Sequence, residues 1–208
     1  MIALPRFYPI LDTEAAQRAG VDVTAAARAI LEGGAQILQF RHKAFFSRGV
    51  LETMGRIAEL CRDAGAPLVV NDRADLAQIL GAALHLGQDD LRPSAVRALV
   101  TAPIGYSTHN EEQLRAALAE PADYLALGPI FGTASKKNPD PPVGVAELRR
   151  LRPLADRPLV AIGGITRENA RQVLEAGADS VAVIGDLFPA DGNIRARVEE
   201  WVAKTRAR

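Results

Sequence analysis

Residues 159–184 read LVAIGGITRENARQVLEAGADSVAVI. Two short apolar runs, Leu159–Ile162 and Ser180–Ile184, flank a helical pattern over Arg167–Glu175. Strand, helix and strand in that order form a βαβ unit, and the crossover helix makes the two strands parallel. The punctuation agrees with that reading. Thr166 before Arg-Glu-Asn resembles an N-cap with an acidic first turn, Gly177 follows the helical run as a C-cap glycine would, and Gly163-Gly164 marks the turn after the first strand.

The same unit recurs on the N-terminal side. Strands are expected at Phe7–Leu11, Gln36–Arg41, Pro67–Asn71, Ala83–Leu86, Ile104–Ser107 and Tyr124–Leu127, making eight with the two above. Helical patterns fall at Val23–Leu31, Arg48–Asp63, Ala74–Leu80, Pro93–Leu99, Glu111–Ala119 and Val145–Leu151, and a last one at Ile194–Ala203. Asn110 before Glu-Glu-Gln is a second N-cap signal, and Gly33, Gly65 and Gly81 follow helical runs. Such near-continuous apolar strands suit a parallel sheet buried on both faces. The expected fold class is α/β, a single-domain (β/α)8 TIM barrel over 1–208, at the short end for that fold. With 48% hydrophobic but only 5% aromatic residues, its interior must be filled by Val, Ile, Leu and Ala.

Twenty-five basic residues balance twenty-five acidic ones, so no global field recruits nucleic acid or an anionic membrane, and any anion site is local. No run approaches the length of a membrane span, and MIALPRFYPILDTE at the N-terminus lacks an apolar h-region and a cleavage site, so a cytoplasmic location is expected. The lone cysteine, Cys61, reads as a small buried helix residue rather than a catalytic thiol. Oligomeric state is not legible, and a homo-oligomer is compatible with everything above. Gly132–Gly144, GTASKKNPDPPVG, is a long polar loop after the sixth strand, expected to be mobile; it is a candidate lid or a plain surface excursion.

In such a barrel the chemistry sits at the C-terminal ends of the strands. Gln39, Arg41 and Lys43 alternate at the end of strand two, so all three face the mouth if Gln39 points inward, and the two cations could clamp a diphosphate. Their plainer reading is a solvated strand end. Asp72 after strand three and Asp89 or Asp90 after strand four could share a divalent cation, for which Mg2+ fits best in the absence of a His/Cys cluster. Alternatively each acid caps its neighbouring helix. Ser107 can donate to a phosphate oxygen, and His109 is either an acid or base or, more plainly, structural. Glycines after strands seven and eight (Gly163, Gly164, Gly185, beside Ile184) let backbone N–H groups approach a phosphate. Two anion devices in one mouth suggest two phosphorylated ligands, with the paired lysines of the 132–144 loop able to serve both.

The segments LQFRHK (38–43), VNDRADLA (70–77), HLGQDDL (85–91), STHN (107–110), ADYLALGPIFGTASKK (122–137), AIGGIT (161–166) and AGADSVAVI (176–184), in that order, resemble the thiamine-phosphate synthase family. The resemblance spans nearly the whole barrel. It implies a transferase that joins hydroxymethylpyrimidine diphosphate to a thiazole phosphate, or its carboxylated form, giving thiamine phosphate and pyrophosphate with Mg2+. Carried over residue by residue, Gln39 would meet the pyrimidine, while Arg41, Lys43, Asn71, Ser107 and Lys136 would bind the diphosphate, with Arg41, Lys43, Ser107 and Lys136 assisting its departure. Asp72 and Asp90 would hold the metal; Thr133, Ser135, Gly164, Ile184 and Gly185 would bind the thiazole phosphate. The sequence departs from the family pattern at His42, where Glu is frequent, at Gly185, where Ser is frequent, and at Gly132, where Pro is frequent. His42, between two inward residues, should point away from the mouth.

Three rivals are weighed against this. A thiazole tautomerase of the same family would use a histidine at His109 but usually lacks the metal carboxylates. A non-catalytic regulatory barrel would have no need of a leaving-group clamp. A phosphate-handling barrel of tryptophan or histidine biosynthesis would account for the glycines after strands seven and eight, but not for the paired acids or the TASKK loop.

Overall fold

Eight parallel strands hydrogen-bond in chain order and the eighth returns to the first: β1 Phe7–Asp12, β2 Leu38–Arg41, β3 Leu68–Asn71, β4 Ala83–Leu86, β5 Ile104–Thr108, β6 Tyr124–Leu127, β7 Leu159–Ile162 and β8 Ser180–Val183. The structure is a computed structural model and describes residues 4–133 and 140–206. Nine helices occur among the described residues, α1 Thr13–Arg18, α2 Val23–Glu32, α3 Arg48–Asp63, α4 Ala74–Leu80, α5 Pro93–Val96, α6 Glu111–Ala117, α7 Val145–Leu151, α8 Ala170–Glu175 and α9 Ile194–Thr205, with 3-10 turns at Arg152–Leu154 and Gly185–Leu187. This is the (β/α)8 barrel expected from the sequence.

The period-two alternation of the strands divides the core in two. Tyr8, Ile10, Ile37, Val69, Ala83, Tyr124, Ala126, Val160 and Ala182 fill the barrel interior. Their strand neighbours, among them Leu11, Phe40, Val70, Leu84, Leu125 and Val181, face the helical ring and pack on residues such as Met54, Ile57 and Trp201. Trp201 stacks on Phe7 with ring centroids 5.3 Å apart, which seals α9 against β1. Cys61 lies in this outer layer, where burial pushes its thiol up to about 12 and leaves it inert, as its helical context implied.

Local signals fared unevenly. Asn110 caps α6 by accepting from Gln113 N at 2.9 Å, as expected. Thr166 does not cap α8. Asn169 turns its carboxamide back, accepting from Thr166 N at 2.8 Å and donating to Gly164 O at 2.9 Å, so residues 166–169 form a turn and the helix starts at Ala170. At the end of α2 the left-handed residue is Gly34 rather than Gly33. The helix α1 has no counterpart in the sequence reading. It forms because Asp12, the last residue of β1, accepts from Ala15 N at 2.8 Å.

Candidate active site

Strand register brings the inward residues of neighbouring strands level at the C-terminal end. Asp12 lies opposite Arg41, Gln39 opposite Val69, Asn71 opposite His85, and His85 opposite Gly105. Arg41 forms an ion pair with Asp12, whose side chain is 4% exposed, so the guanidinium is anchored by one nitrogen and keeps further donors for a ligand. Beside it, Lys43 Nζ donates to Asp72 at 2.5 Å. Asp72 is left-handed (φ 65°), a conformation costing an L residue roughly 1–2 kcal/mol, and its N–H is held by His85 O at 2.8 Å.

Burial pushes the Asp72 carboxyl up to about 6; the Lys43 ammonium opposes the rise and the Asp90 carboxyl adds to it. The structure therefore brings Asp72 and Asp90 together. Neither caps a helix. Asp90 accepts from Gly87 N at 2.7 Å, closing the turn after β4, and the residues preceding α4 and α5, Arg73 and Arg92, make no side-chain cap bond. Asp89 is exposed. Among the described residues no three acids, histidines or cysteines could hold a metal together. Two neighbouring carboxylates, supplemented by water and phosphate oxygens, are the oxygen donor set that suits Mg2+.

Asn71 is 7% exposed, and its Nδ2 is buried with no hydrogen-bond partner among the described residues. An orphaned amide donor of this kind costs about 1–3 kcal/mol unless a ligand acceptor reaches it. It lies on β3, one residue before Asp72 and level with His85.

Below these groups a polar chain crosses the barrel interior. Gln39 Nε2 donates to Tyr8 Oη at 3.0 Å, Tyr8 Oη meets Tyr124 Oη at 2.8 Å, Tyr124 Oη meets His85 Nδ1 at 3.0 Å, and His85 Nε2 meets Ser107 Oγ at 2.8 Å. Burial pushes the His85 imidazolium down to about 4, so the ring is neutral; burial likewise raises the Tyr8 phenol to about 12 and lifts the Tyr124 phenol well above its ordinary value. Gln39 and Ser107 were recognisable as site residues from sequence. Tyr8, His85, Tyr124 and Asp12 were not, although His85 stands two residues after Ala83, an interior position of β4.

The opposite sector is made of backbone. Gly163 (φ 98°) and Gly164 (φ 62°) follow β7, and a Cβ on Gly164 would lie 2.5 Å from Gly132 O and 2.7 Å from Phe131 Cβ, so no side chain fits there. Ile130 N donates to Ile162 O at 2.8 Å and Phe131 N to Gly163 O at 3.0 Å, tying the start of the 132–144 loop to this turn. The turn Gly185–Leu187 after Ile184 is fixed through Asp186, which accepts from Arg167 Nε at 3.0 Å, Arg197 Nη1 at 2.8 Å and Trp201 Nε1 at 2.9 Å. At Gly185 an added Cβ would meet nothing within 4 Å, so the serine frequent in the family pattern would fit, and its absence leaves only the backbone. Thr133 is half-buried at the start of the loop; Ser135 and Lys136 lie outside the described residues. His109 donates from Nδ1 to Gly128 O at 2.5 Å, with Nε2 3.5 Å from Asp140. His42 is bonded to Thr13 Oγ1 at 2.8 Å and packs edge-on against Phe46, on the outer side of the strand as its alternation implied. A cavity of about 590 Å3 lined by Arg6, Phe7, Gly34 and Glu199 lies at the other end of the barrel, away from all these groups.

The sequence profile of the thiamine monophosphate synthase family matches residues 7–187. A thiamine-phosphate synthase of Koribacter versatilis is 48% identical over 193 residues, covering 90% of this chain and 90% of that one. One of Chloroflexus aurantiacus is 39% identical over 188 residues, covering 89% and 86%. Among solved structures, a thiamine phosphate pyrophosphorylase from Pyrococcus furiosus superposes with a TM-score of 0.85 at 30% identity, over 96% of this chain and 95% of that one.

Proposed function

The chain belongs to the thiamine monophosphate synthase family, and we propose that the mouth of its barrel joins hydroxymethylpyrimidine diphosphate to thiazole phosphate, forming thiamine phosphate and pyrophosphate. The chain is thus a transferase of thiamine biosynthesis. The observation that carries the residue-level reading is the buried amide of Asn71, without a partner among the described residues, next to Asp72 and its neighbours Lys43 and Asp90. Among the described residues the Asn71 amide has no acceptor, and Arg41 and Lys43 keep donors beyond their single ion pairs; a diphosphate supplies acceptors for them.

In this reading the pyrimidine meets Gln39, and Arg41, Lys43, Asn71 and Ser107, with Lys136 from the loop, hold the diphosphate. The reacting bond joins the pyrimidine's methylene carbon to a diphosphate oxygen. As it breaks, the electron pair leaves with pyrophosphate, and positive charge spreads into the electron-rich pyrimidine. The thiazole nitrogen then donates its lone pair to the methylene carbon, forming the new C–N bond. Negative charge grows on the leaving group, so cations fixed there by Asp12 and by strand geometry stabilise the transition state more than the ground state. No protein nucleophile takes part. Mg2+ held by Asp72 and Asp90 would supply neutralisation of diphosphate oxygens. The Gly164 and Ile184-Gly185 backbone, with Thr133 and Ser135, would take the thiazole phosphate and set its ring nitrogen in line with the methylene carbon.

The test is incubation of the purified protein with both substrates, with and without Mg2+, following thiamine phosphate and pyrophosphate by chromatography. Equimolar, metal-dependent formation of both is the expected result. Conversion of a thiazole carboxylate phosphate tautomer without coupling would replace this reading by an isomerase, and loss of neither substrate would leave a binding-only barrel.

A further inference from the structure

The chain of five polar side chains beneath the mouth has a direction. Gln39 presents its amide nitrogen to Tyr8 Oη, so that phenol is an acceptor on this side, and its single proton goes to its other partner, Tyr124 Oη. Tyr124, accepting from Tyr8, in turn donates to His85 Nδ1. A neutral imidazole carries one N–H; with Nδ1 accepting, the proton sits on Nε2 and is donated to Ser107 Oγ. Ser107 then has its own hydroxyl proton left over, with no place for it inside the chain. At the other end, Gln39 has its amide oxygen left over. Both leftovers belong to residues whose strands bring them to the mouth.

We infer that His85 is a positioning residue which, through Tyr124 and Tyr8, sets the polarity of two ligand-facing groups, making the Ser107 hydroxyl a donor and the Gln39 amide oxygen an acceptor. The identity of the ligand groups rests on the proposed function: a diphosphate oxygen can only accept, and the amino group of an aminopyrimidine must donate. Running the chain in reverse would require the Gln39 carboxamide to turn over, with its oxygen facing Tyr8 Oη. It would turn the Gln39 amide nitrogen toward an amine and a Ser107 lone pair toward an anionic oxygen, repelling the substrate at both ends.

Packing is arranged around this relay. His85 and Tyr124 lie on either side of Gly105 in the strand register, with rings 5.6 Å apart. A Cβ at Gly105 would stand 2.1 Å from Tyr124 Cζ and 2.5 Å from His85 Nδ1, so only glycine at that place lets the two side chains meet. The relay members Tyr8, Gln39, His85 and Tyr124 are all buried, which shields the chain from exchange with water.

The decisive measurement is 15N NMR of histidine-labelled wild-type protein at neutral pH without substrate. The chain has three histidines, and the His85 signals are those missing from His85→Gln. A neutral ring protonated at Nε2 is expected; a ring protonated at Nδ1, or an imidazolium, overturns the inference. The kinetic counterpart separates positioning from bulk structure. His85→Leu should lower kcat/KM for the pyrimidine diphosphate by about tenfold or more, the loss of one oriented hydrogen bond, and leave KM for the thiazole phosphate within about twofold. His85→Gln, whose amide nitrogen can replace Nε2 as donor to Ser107, should recover most of that loss. Equal losses toward both substrates, or no rescue by Gln, count against the relay. Should His85→Leu fail to fold, Tyr8→Phe keeps the core volume and should bring His85 to a mixture of tautomers, whereas an unchanged tautomer refutes the coupling. Absence of thiamine phosphate from the wild-type reaction would sink the proposed function and leave the tautomer measurement standing as the judge of the relay.

Discussion

Replacing Asp90 with asparagine should make the metal-free protein more stable and Mg2+ less able to stabilise it. Asn is isosteric and its amide oxygen can still accept from Gly87 N, so the turn after β4 is preserved. What disappears is a negative charge beside Asp72. Holding an ionised carboxyl whose pKa stands at about 6 rather than 3.8 costs the folded protein up to about 3 kcal/mol at neutral pH. Burial is the largest cause of that rise and Asp90 a smaller one, so removing Asp90 should return about 1 kcal/mol, seen as a rise in Tm of roughly 2–4 °C for a chain of this size. The pH dependence follows with a definite sign. Because the folded pKa is raised, the stability contributed by Asp72 is fully present below about pH 4 and is lost as pH rises through about 6; in Asp90→Asn the same decline should be shallower and centred lower. Mg2+ at a hundred times its Kd should stabilise the wild type by about 2.7 kcal/mol and the variant far less. The assay is thermal unfolding between pH 4 and 8 with and without Mg2+. A variant less stable than the wild type without metal, or an equal gain from Mg2+ in both, would refute the shared-carboxylate account.

Other outcomes test the remaining parts of the site. Asp12→Ala leaves Arg41 without its partner and α1 without its cap, and should cost about 3–5 kcal/mol in urea unfolding; a loss below about 1 kcal/mol would show that Arg41 is not anchored by this pair. Gly164→Ala meets both a left-handed backbone and Gly132 O at 2.5 Å, so it should raise KM for thiazole phosphate by at least about tenfold while the pyrimidine diphosphate KM stays close to wild type. Lys136→Ala should lower kcat much more than it weakens thiazole phosphate binding, because its proposed task is the growing charge of the leaving group; a pure affinity loss would reassign it. Alanine at Asp72 should abolish Mg2+-dependent turnover with cooperative unfolding retained, and circular dichroism alongside the coupling assay reads both.

Much of the mouth was legible because strand alternation is a local rule. Once β2 ends at Arg41 and Gln39 faces inward, Arg41 and Lys43 follow, whereas Ser107 stood out as a polar residue closing strand five and Gly164 as a glycine of the turn after strand seven. Asp12 was missed for the complementary reason: its importance lies in a partner 29 residues away, brought level only by the β1–β2 register. Tyr8, His85 and Tyr124 sit inside runs that read as apolar strands, so each looks like core. Their alignment needs the barrel to close across β1 and β4 to β6, which no local pattern encodes. The turn at Thr166 misled for a smaller reason, since the Asn169 side chain accepts from Thr166 N and donates to Gly164 O, which holds residues 166–169 as a turn and delays the helix to Ala170.

The two halves of the mouth are built from different materials, and the difference has a chemical reason. On the side of β2 to β5 the proposed ligand-facing groups are side chains with charge or an oriented donor, and three of them are held by a partner: Arg41 by Asp12, Lys43 by Asp72, Ser107 by His85. On the β7–β8 side the proposed donors are backbone N–H groups beside glycine, in turns locked through Asp186 and the Ile130–Ile162 bond. Charge that must grow on a leaving group is stabilised best by charges fixed beforehand, since reorienting them during the reaction would return the gain. A phosphate that only anchors its thiazole undergoes no change of charge, and neutral N–H groups bind it equally before and during the reaction. Substitutions on the first side should therefore appear chiefly in kcat and those on the second chiefly in KM, a division set by whether the bound group changes its charge along the reaction.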